Sequence, residues 1–82
     1  KNIQLETSLV SQAKRSFARL DWTGVDNGQL TILRNGRQLA TVSNINEFTD
    51  RSLKGLYGSV SYKVCEAASG RCSNITKLRL GK

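Results

Sequence analysis

Apolar and polar residues alternate along most of this chain, and turn-forming residues interrupt the alternation about every ten positions. A two-residue period puts alternate side chains on opposite faces of a strand, so that one face can be buried in a core. Short strands separated by regular turns are typical of a β-sandwich or a β-barrel. The chain has 82 residues and no proline, a length that suits one small domain. The pattern therefore predicts a single all-β domain over residues 1–82.

The alternation predicts seven strands. They are expected over residues 3–10, 16–22, 29–34, 37–43, 48–50, 60–64 and 73–80. Seven strands in a chain of this length is the number expected of an immunoglobulin-like sandwich. The first, second and fifth strands are expected to form one sheet, and the remaining strands the other. The residues predicted to point into the core include Leu20, Trp22, Leu30, Ile32, Tyr62, Val64 and Leu78.

The chain contains two cysteines, Cys65 and Cys72, and a short polar turn with Gly70 lies between them. In a small domain, a hairpin with one cysteine on each side of its turn predicts a disulfide. Free thiols and a metal site are the alternatives, although the chain has no histidine to complete a four-ligand zinc site. A disulfide in turn indicates a secreted protein, either extracellular or periplasmic.

The facing of the two cysteines requires a local distortion of this hairpin. Cys65 has the parity of Lys63, which is expected to point outward, whereas Cys72 has the inward parity of the last strand. A regular ladder places such residues on opposite faces, where a disulfide cannot join them. We therefore expect a bulge near Ser73 or Asn74, or a loss of regular pairing at the turn.

Basic residues outnumber acidic ones by thirteen to six, which gives a formal net charge of +7. Such a surface attracts polyanions, including nucleic acid, acidic polysaccharide and anionic lipid headgroups. Nucleic-acid modules usually cluster their cations and interleave them with stacking aromatic residues. Here the longest basic run is Lys14-Arg15, and the aromatic residues are one tryptophan, two tyrosines and two phenylalanines. The charge therefore favours a solubilising role or an acidic neighbouring domain over nucleic acid.

The residue types that catalysis requires are missing or dispersed. Without histidine, the chain cannot form a Ser-His or Cys-His nucleophile. Asp21 and Asp26 flank a turn, but a calcium site takes about six to eight oxygen ligands; Asp50 is expected to cap a turn. No apolar run approaches the roughly 20 residues that span a bilayer. We therefore expect a protein that is not an enzyme and has no cofactor, metal or membrane partner.

Three segments of the chain share residues with a known family. They are residues 18–22 (ARLDW); residues 30–37 (LTILRNGR) with 39–41 (LAT) and 48–50 (FTD); and residues 58–67 (GSVSYKVCEA) with 72–74 (CSN). In combination they resemble a fibronectin type III-like module of the kind appended to secreted bacterial hydrolases, subtilisin-like proteases among them. The resemblance implies a non-catalytic accessory module of a larger secreted protein, acting as a spacer, a domain-docking surface or a substrate contact.

The chain departs from this family on the sixth strand. Family members usually carry a tyrosine near the start of that strand, which bonds back to the loop before it, and Val60 occupies the position here. Either Tyr57 or Tyr62 takes that role, or the corner is absent.

One sheet face is expected to be positively charged. The third, sixth and seventh strands should lie side by side, because they belong to the same predicted sheet. The outward residues proposed as a binding face are Leu33, Lys63, Ile75, Lys77 and Arg79. This face is either an ordinary solvated surface, a docking face for an adjacent domain, or a site for an anionic or insoluble polymer such as polysaccharide or collagen.

Overall fold

The computed structural model describes residues 3–12, 15–25, 28–43, 46–51, 53 and 58–80. The strands are β1 (Gln4–Gln12), β2 (Arg15–Thr23), β3 (Gln29–Arg34), β4 (Arg37–Ser43), β5 (Glu47–Asp50), β6 (Ser59–Glu66) and β7 (Thr76–Arg79). The predicted all-β fold, with seven strands in antiparallel sheets, is confirmed. In the described part of the chain, no helix is long and apolar enough to cross a membrane.

The strands form two antiparallel sheets with one core between them. The three-strand sheet has the order β1-β2-β5, and the four-strand sheet has the order β4-β3-β6-β7. The strands divide between the sheets as expected for an immunoglobulin-like sandwich, with the first, second and fifth strands in one sheet. Asn35 and Gly36 close the β3–β4 hairpin with φ values of 53° and 81°. Positive φ at both central residues is what the common two-residue hairpin turn requires.

The core is built from the alternate residues that the two sheets turn toward each other. Burying a large apolar side chain contributes about 1.5–3 kcal/mol, so these residues supply most of the stabilisation of the fold. Leu78 of β7 is only partly buried and packs at the margin of the core. The other residues predicted to point inward are at most 2% exposed: Leu20, Trp22, Leu30, Ile32, Tyr62 and Val64.

The last strand is shorter than predicted. We expected it over residues 73–80, but β7 covers only Thr76–Arg79, and Cys72 makes an isolated bridge to Cys65. Tyr62 pairs with Thr76 on the same side of the hairpin. Three residue steps on β6 are therefore matched by four on the returning chain. The extra residue lies between Cys72 and Thr76, where the sequence predicted a bulge.

Ser73 accounts for this interruption. Its amide donates to the Val64 carbonyl over 2.7 Å, and its hydroxyl accepts from the Val64 amide over 3.1 Å. A side chain thus replaces the backbone acceptor of the regular ladder. Ser73 points inward and is buried, whereas Cys72 is exposed. The inward facing predicted for Cys72 is therefore wrong, because the extra residue reverses the parity of the chain before β7 begins.

Asn74 closes part of a free sheet edge. β1 lies at the edge of the three-strand sheet, and the Asn74 side-chain amide reaches its backbone at Leu5. The Leu5 amide donates to Asn74 Oδ1 over 2.8 Å, and Asn74 Nδ2 donates to the Leu5 carbonyl over 3.1 Å. One side chain thus satisfies both backbone groups of an edge residue, which would otherwise be open to pairing with another chain.

One edge of the four-strand sheet is protected by a bulge. β4 lies at the edge of the four-strand sheet. Ile32 pairs with Ala40 but Leu33 pairs with Gln38, so Leu39 is an extra residue on β4. A bulge bends an edge strand and breaks its regular row of unpaired backbone groups. β4 is consequently a poor template for a further strand.

Candidate functional site

The hairpin between β6 and Cys72 is closed by the predicted disulfide. Cys65 and Cys72 are bonded to each other, with their Cα atoms 3.9 Å apart. The Glu66 amide donates to the Arg71 carbonyl on one side of the pair, and the Ser73 amide donates to the Val64 carbonyl on the other. The two cysteines therefore occupy a non-hydrogen-bonded pair, the position that brings cross-strand side chains closest together. Neither sulfur is a free thiol or free to bind a metal.

A buried carboxylate organises the tip of this hairpin. The side chain of Glu66 is 6% exposed, and Arg71 Nη2 donates to its Oε1 over 2.9 Å. The Ser69 hydroxyl donates to the same oxygen. Arg71 Nη2 also lies 3.4 Å from the Gly24 carbonyl, beyond the end of β2. Both of these bonds to Glu66 lie within the hairpin, while Arg71 also ties the tip to the other sheet.

A second buried carboxylate joins the sheets at another point. Asp50 ends β5 of the three-strand sheet, and its side chain is 2% exposed. Its Oδ2 accepts from the Tyr62 hydroxyl over 2.6 Å and from Arg34 Nη1 over 2.9 Å. Both donors belong to the four-strand sheet. Asp50 was expected to cap a turn; the structure adds a role across the core, in which Oδ2 accepts bonds from two strands of the other sheet.

Tyr62 remains a proton donor in this arrangement. Burial, and then its hydrogen bond to the Asp50 carboxylate, raise the pKa of Tyr62 far above its ordinary value. A tyrosinate beside a buried carboxylate would place two negative charges together. Tyr62 thus bonds back to an earlier part of the chain, through the side chain of Asp50. Tyr57, the alternative, lies outside the described residues.

The exposed acidic residues lie on the outer face of the three-strand sheet. Glu6 is the Cα partner of Asp21, and Asp21 is the partner of Glu47. We call these three residues the acidic row. Like charges directly opposite one another are destabilising. Arg19 offsets this repulsion, because its guanidinium lies 3.3 Å from Asp21 and 2.8 Å from Glu47. Arg19 therefore neutralises part of the charge of the acidic row.

The outer face of the four-strand sheet carries uncompensated positive charge. Lys77 of β7 is the partner of Ser61, and Arg79 is the partner of Ser59. Lys63 lies on β6, two residues beyond Ser61. We call Lys63, Lys77 and Arg79 the cationic track. In the described part of the chain, none of the three forms an ion pair.

No described carboxylate lies on this face. The acidic row is on the other sheet, Asp50 and Glu66 are buried and bonded, and Asp26 lies outside the described residues. The two aliphatic residues of the predicted binding face also differ from each other. Leu33 is half-buried as the partner of Lys63, and Ile75 is 63% exposed at the bulge before β7. The structure thus brings the predicted residues onto one face, with a single prominent apolar side chain.

A shallow depression lies over the β3–β4 hairpin, next to this face. It has a volume of about 370 Å³. Gln38, one of its lining residues, is the partner of Leu33, so the depression adjoins the cationic track. Arg37 adds an exposed cation there, whereas Arg34 is bonded to Asp50. The residues that line it are Arg34, Asn35, Arg37, Gln38 and Leu39.

Among the described residues, no group of three or more histidine, cysteine, aspartate or glutamate side chains could hold a metal ion. Comparison of the chain with protein-family models, curated proteins and solved structures finds no significant match.

Sequence reasoning found the cations of this surface but missed the features that isolate them. Parity along β6 and β7 identified Lys63, Lys77 and Arg79 as outward residues. The acidic row depends on the register between three strands, and the bonding of Asp50 and Glu66 depends on burial. The one available signal was the inward parity of Glu66, which follows Tyr62 and Val64 on β6. An acidic residue at an inward position requires a partner.

Proposed function

We propose that this chain is a non-catalytic accessory module of a larger secreted bacterial protein, a hydrolase, and that its fold is of the fibronectin type III kind. The division of three strands against four supports this assignment, as does Trp22, buried on the second strand where the family carries its tryptophan. The Cys65–Cys72 disulfide supports an oxidising compartment.

The module docks through the outer face of the four-strand sheet. The observation that carries this proposal is the segregation of charge between the sheets. The acidic row is neutralised in part by Arg19, whereas the cationic track, in which Lys77 and Arg79 are exposed and Lys63 is half-buried, has no described carboxylate beside it. Exposed unpaired cations attract an anionic partner at long range and orient it during association. That partner is an acidic surface of the neighbouring domain or of the substrate.

A second candidate function is the specific binding of an anionic or insoluble polymer, such as an acidic polysaccharide or collagen. The same uncompensated cations support it. Nucleic acid is less well supported, because single-stranded nucleic acid is bound with the help of aromatic stacking. Among the described aromatic residues, Trp22 and Tyr62 are buried, and Phe17 and Phe48 belong to the three-strand sheet.

Retention on charged supports tests the docking function. The purified domain is passed at low and at high salt over beads carrying an acidic polypeptide, a polyuronate or an oligonucleotide. We expect retention at low salt on at least one support and release at high salt, since exposed charges are screened by salt. The variant Lys77→Ser/Arg79→Ser should elute earlier than the wild type.

A matched control variant distinguishes retention by the cationic track from retention by net charge alone. The variant Arg19→Ser/Arg51→Ser removes the same number of positive charges from the other sheet and from the residue after β5. It should be retained like the wild type if the cationic track is the docking surface. Passage of the wild type through every support at low salt contradicts the proposed function.

A further inference from the structure

We propose that the cationic track binds an extended acidic polypeptide whose carboxylates lie on alternate residues. This inference rests on the proposed function, because it names the chemistry of the partner that docks on the same surface. It makes a narrower claim about the order of charges in that partner.

The spacing of the three cations is fixed by the strands that carry them. Lys77 and Arg79 are two residues apart on β7, and they lie beside Ser61 and Ser59 of β6. Lys63 is two residues beyond Ser61 on β6. Outward residues of a strand recur about every 6.7 Å. The cations therefore occupy three successive outward levels along the strand direction: Arg79 and Lys77 on β7, and Lys63 on the neighbouring β6, one residue beyond the last β6–β7 pair.

An extended polypeptide has the same interval built into its backbone. Its alternate side chains point to one side and also recur about every 6.7 Å. Carboxylates at every second position can thus meet Arg79 and Lys77 along β7 and then Lys63, if the peptide crosses toward β6 at that end. A contiguous acidic block places half of its carboxylates on the side facing away from the sheet. Charge order, and not only charge number, should determine affinity.

Three further features of the face suit a peptide. Ser59 places a hydroxyl group beside Arg79, where it can bond to polar groups of the ligand. The Ser61 hydroxyl beside Lys77 donates to Asn35 Oδ1 over 3.4 Å and keeps only its acceptor capacity. Ile75, which is 63% exposed, provides an apolar contact near the Lys63 end. Among the described residues, the face carries no aromatic side chain on which a base or a sugar ring could stack.

The direct test compares two short labelled peptides of identical composition. One alternates glutamate and serine, and the other places all its glutamates in one block. Fluorescence anisotropy at low salt should show tighter binding of the alternating peptide to the wild-type domain. Each exposed ion pair is worth little, so removing one cation of the track should weaken binding by about twofold to fivefold.

Variants with equal net charge make the test specific. Lys77→Ser/Arg79→Ser should lose most of the preference for the alternating peptide, and Arg19→Ser/Arg51→Ser should keep it. Equal affinity for the two peptides, or equal losses in the two variants, overturns the inference. Tighter binding of a polyuronate or an oligonucleotide than of either peptide also overturns it. In those cases, retention on the charged supports still decides the proposed function separately.

Discussion

Two buried carboxylates, each bonded to an arginine and a hydroxyl, do different structural work. Asp50 joins β5 to Arg34 on β3 and Tyr62 on β6, so its bonds cross from one sheet to the other. Glu66 bonds to Ser69 and Arg71, three and five residues away, within one hairpin. The same chemistry therefore stabilises the packing of the whole domain in one region and the shape of a local loop in the other.

The two carboxylates also differ in whether their hydrogen-bond donors can reach water. Tyr62 is 1% exposed, so its hydroxyl has no route to water if Asp50 is lost. The side chain of Arg71 is 34% exposed and Ser69 is on the surface, so both can turn to solvent if Glu66 is lost. The cost of removing a buried acid depends on whether its former partners can be hydrated.

Replacement of Asp50 should have the largest effect. Asp50→Ala leaves the buried Tyr62 hydroxyl and the Arg34 guanidinium without their shared acceptor. Breaking a buried charge pair costs about 3–5 kcal/mol, and we expect a loss near the lower end because Arg34 is partly exposed. Denaturant unfolding followed by tryptophan fluorescence measures it through Trp22. Asp21→Ala, which removes an exposed carboxylate of the acidic row, is the matched control and should cost less than about 1 kcal/mol.

Replacement of Glu66 should have a smaller and more local effect. In Glu66→Ala the two donors reach water, so we expect the free energy of unfolding to fall by about 1–2 kcal/mol. Amide hydrogen exchange should accelerate in the hairpin between Glu66 and Cys72 more than in β2 or β3, because a local opening exposes only that segment. A uniform acceleration throughout both sheets would show that Glu66, like Asp50, stabilises the whole domain and not only its own hairpin.

Replacement of Tyr62 by phenylalanine should have the smallest effect at neutral pH, about 1 kcal/mol, because the ring remains and Asp50 keeps Arg34. The folded protein holds the pKa of Tyr62 far above the ordinary value of 10.0. Above pH 10 the unfolded chain therefore loses this proton while the folded chain keeps it. The stability that this raised pKa contributes is fully present below that pH. It falls by about 1.4 kcal/mol per pH unit as the pH rises further.

Unfolding titrations across this alkaline range can isolate that contribution. The difference in slope between the wild type and Tyr62→Phe reports the tyrosine alone, since other groups titrate in both proteins. Parallel slopes would mean that Tyr62 ionises as readily in the folded protein as in the unfolded chain.

Local sequence pattern was sufficient to predict the strands, but it was insufficient to predict the partners of the carboxylates. Alternation at Leu30, Ile32, Tyr62 and Val64 identifies inward faces because the two-residue period is a property of each strand alone. Turn residues such as Asn35-Gly36 identify a hairpin for the same reason. These features located the seven strands, and the number of strands then predicted the two sheets of an immunoglobulin-like sandwich.

The role of Asp50 depends on residues 12 and 16 positions away, and no spacing rule connects them. The acidic row depends on cross-strand register, which sets Glu6 opposite Asp21 and Asp21 opposite Glu47. The bulge after Cys72 was predictable, because a disulfide requires both cysteines on the same face of the sheet. Regular alternation along the last strand would have put Cys72 on the opposite face from Cys65. The sequence did not predict that, at this bulge, the Ser73 hydroxyl would replace a backbone acceptor of the strand pairing.

The contact between Asn74 and Leu5 also bears on the order in which the fold is completed. It joins residues 69 positions apart, so it forms only after nearly the whole domain has been synthesised. Contacts of long sequence separation slow folding, because their loop-closure entropy is lost before they stabilise the chain. The edge of β1 therefore stays open throughout synthesis of the strands that follow it. β1 pairs early with β2 along one side, but its other side is among the last parts of the fold to be secured.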